Sequence, residues 1–269
     1  MVSCRIFFKI FVRAVFPFTV LLSLSLPLLS CGVKQQTVIA NGVPADESTP
    51  LSTGVEHQDA IFSILAEIDI VTSGGYYPVK AALVLKRPCY LRIELLPIIG
   101  VPDFVLTTTR DKLNIFIPSR GELYSGQPTA DNLKKFLPWP MEIEEMVMIL
   151  TGSFPAFPEQ KMDDREFREE NLSRREMKAP SGRSQIIWMQ TQNKPLKMLR
   201  KDEAGLELYH VQYLYDDPAG DLPRQIIIKM GDGTSSLSVK YSDVKMEKSA
   251  DLSVFHLEIP AKTKEIPLK

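Results

Sequence analysis

The sequence predicts a mainly β protein of the α+β class, built as one curved antiparallel sheet with helices packed against one face. Three observations predict it. Between Ile64 and Ser125, apolar and polar residues alternate with period two in about six segments separated by turn residues. Between Thr129 and Leu150 the pattern changes to helical spacing, and from Ser184 the alternation returns.

Ile64, Ala66, Ile68 and Ile70 alternate with Leu65, Glu67, Asp69 and Val71. Gly74-Gly75 supplies a turn, and Val79, Ala81, Leu83 and Leu85 form the apolar face of the next strand. Pro88 separates it from Tyr90–Leu96, where Leu91, Ile93 and Leu95 alternate with Tyr90, Arg92 and Glu94. Phe104–Thr109, Leu113–Ile117 and Glu122–Ser125 complete a first meander, with Arg110-Asp111-Lys112 as a further turn. One turn is unusual. Leu96-Pro97-Ile98-Ile99-Gly100-Val101-Pro102 breaks the chain with Pro and Gly yet is apolar, where turns are normally wet. Such a turn is either tucked under the fold or exposed for a purpose.

Thr129 caps a short helix carrying Ala130, Leu133, Phe136 and Leu137 on one side, and Pro138-Trp139-Pro140 ends it. A second helix opens at Pro140 or Met141, with Glu142, Glu144 and Glu145 where the helix dipole favours acids. Its apolar residues, Ile143, Met146, Val147, Met148, Ile149 and Leu150, go most of the way round, which predicts burial on more than one side. Thr151-Gly152-Ser153-Phe154-Pro155 stops it. Glu159–Lys178 is dense in charges of both signs. Asp164/Arg168 and Glu170/Arg174 have helical i,i+4 spacing, so the stretch reads as a solvated surface helix or a mobile loop.

Strands then resume at Ser184–Gln190, Leu196–Arg200, Glu207–Tyr215 and Gln225–Met230. Lys201–Gly205 is a turn, and Gly231-Asp232-Gly233 is a hairpin signal before Leu237, Val239 and Tyr241. Asp251–Pro260 is expected as the closing strand.

The N-terminus sets the compartment. Arg5, Lys9 and Arg13 precede an apolar run from Ala14 to Leu29, which ends at Leu28-Leu29-Ser30-Cys31-Gly32. A basic flank, a short apolar run and a small residue before the cut make a secretory signal. A membrane-spanning anchor needs about 20 apolar residues, whereas this run is shorter and contains Pro17 and Pro27. Residues 1–30 are therefore expected to be removed. Gln35, Gln36, Asn41, Pro44, Ser48, Thr49, Pro50 and Ser52 give residues 31–56 the composition of a tether, leaving residues 57–269 as one folded domain.

Three of the 32 basic residues lie in the leader, which has no acid. That leaves 29 against 33 acidic residues and a net charge of −4. This excludes the basic footprint of a nucleic-acid binder and a polybasic membrane patch. Once Cys4 and Cys31 are accounted for, Cys89 has no cysteine to pair with and reads as a small buried apolar residue. His57, His210 and His256 lack metal-ligand spacing, and there is no nucleophile elbow, P-loop or GxGxxG. No catalytic residue, metal site or cofactor is expected.

Leu28-Leu29-Ser30-Cys31 resembles the lipobox of bacterial lipoproteins. That resemblance implies diacylglycerol on the Cys31 thiol, a fatty acid such as palmitate on its amine and, with Gly32 next, an outer-membrane destination facing the periplasm. The folded part resembles the LolA/LolB superfamily of periplasmic lipoprotein carriers, and is most similar to its LolB-like outer-membrane branch. The resemblance rests on Pro88 to Glu94, on Leu96-Pro97-Ile98-Ile99-Gly100, and on the Gly121–Gly126 strand with its helix pair and Thr151–Pro155 ending. Phe255–Pro260 completes it.

The resemblance implies an incomplete barrel with the helices as a lid over an apolar cavity. Leu83, Leu91, Ile93 and Leu106 would line it from the strands, and Ile143, Met146, Val147 and Leu150 from the lid. Arg92 would contact the lid. Leu96, Ile98, Ile99 and Val101 would form a membrane-contact loop. The expected partners are membrane lipid through acylated Cys31, a guest lipoprotein or acyl chains, and a soluble periplasmic carrier; no nucleic acid is expected, and the protein is expected to be a monomer. The expected function is binding acyl chains or lipoproteins and assisting their insertion into the outer membrane. The alternative is an anchored, non-enzymatic interaction, scaffold or envelope-sensor module on the same fold.

Overall fold

The computed structural model describes residues 59–137, 139, 141–157, 162–169, 172–190, 194–217, 220, 222–248 and 251–269. The leader 1–30, Cys31, the tether 31–56 and His57 lie outside the described residues. The first meander consists of β1 (Ile61–Thr72), β2 (Gly75–Lys86), β3 (Tyr90–Leu96), β4 (Phe104–Thr108), β5 (Leu113–Ile117) and β6 (Glu122–Gly126). The helices α1 (Ala130–Leu133) and α2 (Ile143–Leu150) follow. The second meander consists of β7 (Asp163–Glu169), β8 (Leu172–Lys178), β9 (Ser184–Gln190), β10 (Lys194–Lys201), β11 (Glu207–Leu214), β12 (Gln225–Met230) and β13 (Ser236–Glu247). A last strand, β14 (Lys264–Pro267), ends the chain.

These strands form one open, curved sheet in the order β14-β6-β5-β4-β3-β2-β1-β13-β12-β11-β10-β9-β8-β7. The two meanders meet at a single antiparallel seam, from Ile61 opposite Glu247 to Val71 opposite Ser236, with an irregularity at Leu65/Ala66. The alternation read in the sequence decides which face is buried. Ile64, Ala66, Ala81, Leu83, Leu91, Ile93, Leu106 and Ile115 of the first meander share one core with Ile187, Met198, Val211, Ile228 and Val239 of the second. The same core takes in Leu133, Trp139 and the buried side of α2.

Both expected helices form, with different bounds: α1 ends at Leu133 instead of reaching Leu137, and α2 begins at Ile143 with Glu142 as its N-cap instead of opening at Pro140 or Met141. The Thr129 hydroxyl accepts from the Asn132 amide at 3.3 Å, and Leu133 is fully buried. In α2, Ile143, Met146, Val147, Ile149 and Leu150 are buried, with Glu144 and Glu145 in the first turn. Gly152, at a left-handed φ of 73°, ends it, and the Ser153 amide returns to the Met148 carbonyl at 2.9 Å.

Two expectations are corrected. Among its described residues the charged stretch is strand, not helix or loop; β7 and β8 pair antiparallel and extend the sheet from β9. Its charges pair at strand spacing, Arg165 with Asp163 and Arg168 with Glu166, each at 2.9 Å, while Arg175 reaches across to Asp164. Same-face neighbours two residues apart satisfy these charges as well as i,i+4 pairs would. The second correction concerns the end of the chain. Leu252–Phe255 is a 3-10 turn, not part of a strand. The Asp251 carboxylate accepts from the Ser253 amide at 2.9 Å and from its hydroxyl at 2.6 Å, a local bonding pattern that competes with a ladder. The closing strand comes later, as β14, and pairs parallel with β6.

Candidate functional site

The loop between β3 and β4 stands free of the fold. Ile98 and Ile99 show 103% and 90% of their full exposure and Val101 shows 75%, while Leu96 is half-buried at its base. The sequence left open whether this turn was tucked in or exposed, and it is exposed. Gly100 has φ of 106°, a backbone conformation that suits glycine. Asp103 accepts from the Ser119 amide at 2.8 Å and so ties the loop's end to the next turn. The same three side chains taken out of water would each gain on the order of 1.5–3 kcal/mol.

Behind this loop, α2 lies against the inner face of β2 and β3. Leu83, Leu91, Ile93, Leu106, Ile143, Met146, Val147 and Leu150, the expected lining residues, are all buried and belong to the one core cluster. The structure thus brings the eight together.

The far end of α2 is held by polar side chains that sequence reasoning did not single out. Helix C-termini leave carbonyls without intrahelical partners. Tyr241 on β13 donates to the Leu150 carbonyl at 2.6 Å, and Arg87 reaches the Thr151 carbonyl and hydroxyl, both at 2.8 Å. Tyr213 on β11 donates to the Ser153 carbonyl at 2.6 Å, and Gln185 on β9 to that of Pro155 at 2.9 Å. Arg200 on β10 pairs with Glu145 on α2 at 3.0 Å, donates to Gln185 at 2.5 Å and stacks over the Phe157 ring at 3.9 Å. Burial pushes the Tyr213 and Tyr241 hydroxyls well up from their ordinary pKa and pulls the Arg87 guanidinium down. The sequence signal was faint: a lone Arg and Gln on otherwise apolar strand faces.

Arg92, expected at the lid, sits on the opposite face of β3. Its neighbours Leu91 and Ile93 point to α2, so period-two alternation turns Arg92 away. It pairs with Glu94 at 2.6 Å and donates to the carbonyls of Val254 and His256 at 2.8 and 3.3 Å. This anchors the C-terminal segment across the outer face, where Leu257 packs on Val105, Phe116 and Leu123.

Cys89 is buried, and burial raises its thiol pKa. His210 binds Glu207 at 2.5 Å on the strand surface. Among the described residues no three His, Cys, Asp or Glu side chains are grouped to hold a metal. No helix among them is long and apolar enough to cross a membrane. A groove of about 320 Å³ opens at the β11–β12 end, lined by Asp216, Asp217, Arg224 and Asp243 together with Leu222, Pro223, Tyr241 and Val244.

The fold is similar to that of an outer membrane lipoprotein-sorting protein domain from Vibrio parahaemolyticus, at 12% identity and a TM-score of 0.54, over 74% of this chain and 90% of that one. A LolA superfamily protein from Nitrosomonas europaea matches at 14% identity and a TM-score of 0.52, over 74% and 91%. A DUF1329 family protein from Desulfovibrio piger matches at 11% identity and a TM-score of 0.55, over 75% and 91%. No protein-family model and no curated protein sequence matches the chain. At these identities the likeness is one of fold.

Proposed function

We propose that this protein is a LolB-like, outer-membrane-anchored lipoprotein that binds acyl chains or lipoproteins between its sheet and α2 and assists their insertion into the membrane. The observation that carries the reading is the pairing of an exposed aliphatic loop, Ile98-Ile99-Gly100-Val101, with a helix that is apolar over most of its circumference and packed under the same strands. The first is costly in water and favourable in lipid; the second offers a surface on which acyl chains could replace side-chain contacts. The resemblance read from the sequence and the fold shared with lipoprotein-sorting and LolA superfamily proteins point the same way. In this reading the leader 1–30 is removed, Cys31 carries the lipid, and residues 31–56 connect it to the domain. The protein faces the periplasm and acts without catalysis.

The test is acyl-chain uptake by the purified protein, followed by native mass spectrometry and by a fluorescent fatty acid. Bound chains in the first assay or saturable uptake in the second support a carrier, and an empty, non-binding domain in both removes it.

A second reading, an anchored scaffold or envelope-sensor module, is favoured by one observation. The eight residues expected to line a cavity are all buried in one core cluster, and the C-terminal end of α2 is fastened to β11 and β13 and to Arg87 just past β2. A core filled by its own side chains in the uptake assays would favour this reading.

A further inference from the structure

The β1–β2 hairpin ends at the same edge of the sheet as the exposed loop and on the neighbouring pair of strands. The last β2–β3 pair is Lys80 with Leu96, and β2 continues past it through the five residues Gly75–Val79. That projecting tip carries two tyrosines. Tyr76 is 60% exposed and Tyr77 is also exposed. They lie on opposite faces of the hairpin, Tyr76 across from Val71 and Tyr77 across from Ile70. The Tyr76 hydroxyl donates to Asp69 at 2.5 Å and that of Tyr77 to the Gly74 carbonyl at 3.0 Å, so both rings are held in place at the tip.

The charge pattern at this edge is one-sided. Residues 70–79 and 95–102 contain no Asp, Glu, Lys, Arg or His, in a chain that is 24% charged. At the opposite ends of these strands stand Lys86, Arg87, Arg110, Asp111 and Lys112. The charges bordering the uncharged edge are Lys80, which faces Glu67, Asp69, which holds Tyr76, and Arg120, in the turn that Asp103 ties to the loop. Aliphatic side chains farthest out, tyrosines beside them and charged side chains only at the margin match the layering of a bilayer, from hydrocarbon to interface to headgroup.

We propose that the β1–β2 tip, through Tyr76 and Tyr77, docks on a phospholipid bilayer together with the β3–β4 loop, the tyrosines lying at headgroup level and Ile98 and Ile99 in the hydrocarbon. The inference rests on the membrane-contact reading of the loop and adds a second point of attachment to it. Two neighbouring contacts fix the tilt of the sheet on the membrane, which a single loop does not.

The test uses the full chain in phosphatidylcholine–phosphatidylglycerol vesicles whose acyl chains carry bromine, a short-range quencher of indole emission. Tyr76→Trp, Ile99→Trp and Lys112→Trp are compared, each against the parent with its own Trp139 and Trp188. All three positions are exposed, so the substitutions are expected to be folding-neutral, and Tyr77→Trp serves as the second hairpin probe. The expected result is loss of emission at positions 76 and 99 and none at 112. Quenching at 99 alone overturns the hairpin contact and leaves the loop's. Quenching at neither overturns both. Quenching at all three shows a domain lying flat, and also overturns the proposal.

Discussion

Arg200 and Glu145 join the second meander to α2 through an ion pair of 3.0 Å whose two side chains are unequally sheltered, Arg200 at 4% exposure and Glu145 at 17%. The inequality predicts unequal costs. Glu145→Ala strands a guanidinium deep in the core and is expected to destabilise by about 3–5 kcal/mol, the scale of an uncompensated buried charge. Arg200→Met leaves a carboxylate nearer water and costs less, and the double variant Glu145→Leu/Arg200→Met recovers much of the loss. Urea denaturation with a double-mutant cycle measures this. A Glu145→Ala cost below that of Arg200→Met would contradict the placement.

Ile99→Glu puts a charge on a side chain that touches little of the fold. Thermal stability is expected to change by no more than about 0.5 kcal/mol, as at other open surface sites. Partition onto vesicles should fall. If the domain instead loses several kcal/mol, the loop is part of the core and not a contact surface.

Four tyrosines, Tyr209, Tyr213, Tyr215 and Tyr241, are held above their ordinary pKa of 10.0 chiefly by burial, Tyr215 at about 12. A raised pKa favours the protonated, folded form. The contribution to stability is therefore complete below about pH 10 and is lost as pH rises through the folded values. Absorbance at 295 nm should show tyrosinate forming in two groups, the later one coinciding with unfolding. Tyr213→Phe and Tyr241→Phe should each shrink the later group by one residue. A single wave near pH 10 would rule out the buried bonds to the end of α2.

Gly126→Ala places a methyl 2.6 Å from Leu268 Cβ and 3.0 Å from its carbonyl oxygen. No rotamer change relieves a clash with backbone, so β14 is expected to part from β6. Hydrogen exchange should reveal it as lost protection of the Leu268 amide, which donates to Ser125 at 2.7 Å. Unchanged protection would mean that the C-terminal strand can shift without detaching.

The first meander was legible because its strands alternate cleanly and its turns contain Gly, Pro or charge clusters. Both helices were legible from the Thr129 cap and the apolar periodicity of α2. The β7–β8 hairpin was not, since Asp, Glu and Arg at neighbouring positions satisfy helical and strand spacing equally well, and no apolar face broke the tie. Those charges suit an edge, because inward-pointing Asp164 and Arg175 discourage another strand from adding there. The candidate site divided along the same line. The apolar character of the loop and the burial of the eight residues expected to line a cavity followed from local pattern. The arginine that meets α2 did not: Arg92 was the nearer in sequence to the motif, but only the pairing of distant strands brings Arg200 to α2.

The seam between Ile61 and Glu247 has a kinetic consequence. Every other antiparallel pair joins strands consecutive in sequence, while this one closes a loop of nearly the whole domain. Such contacts are the slowest to form, because most of the loop entropy is lost before the seam contributes anything. As the chain emerges N-terminus first, β1 waits as a bare edge until β13 arrives. The alternating apolar face of residues 61–72 stays unshielded for that interval. Folding yield should therefore depend on holding β1 apart from other chains, and refolding from denaturant should lose material to aggregation in proportion to protein concentration.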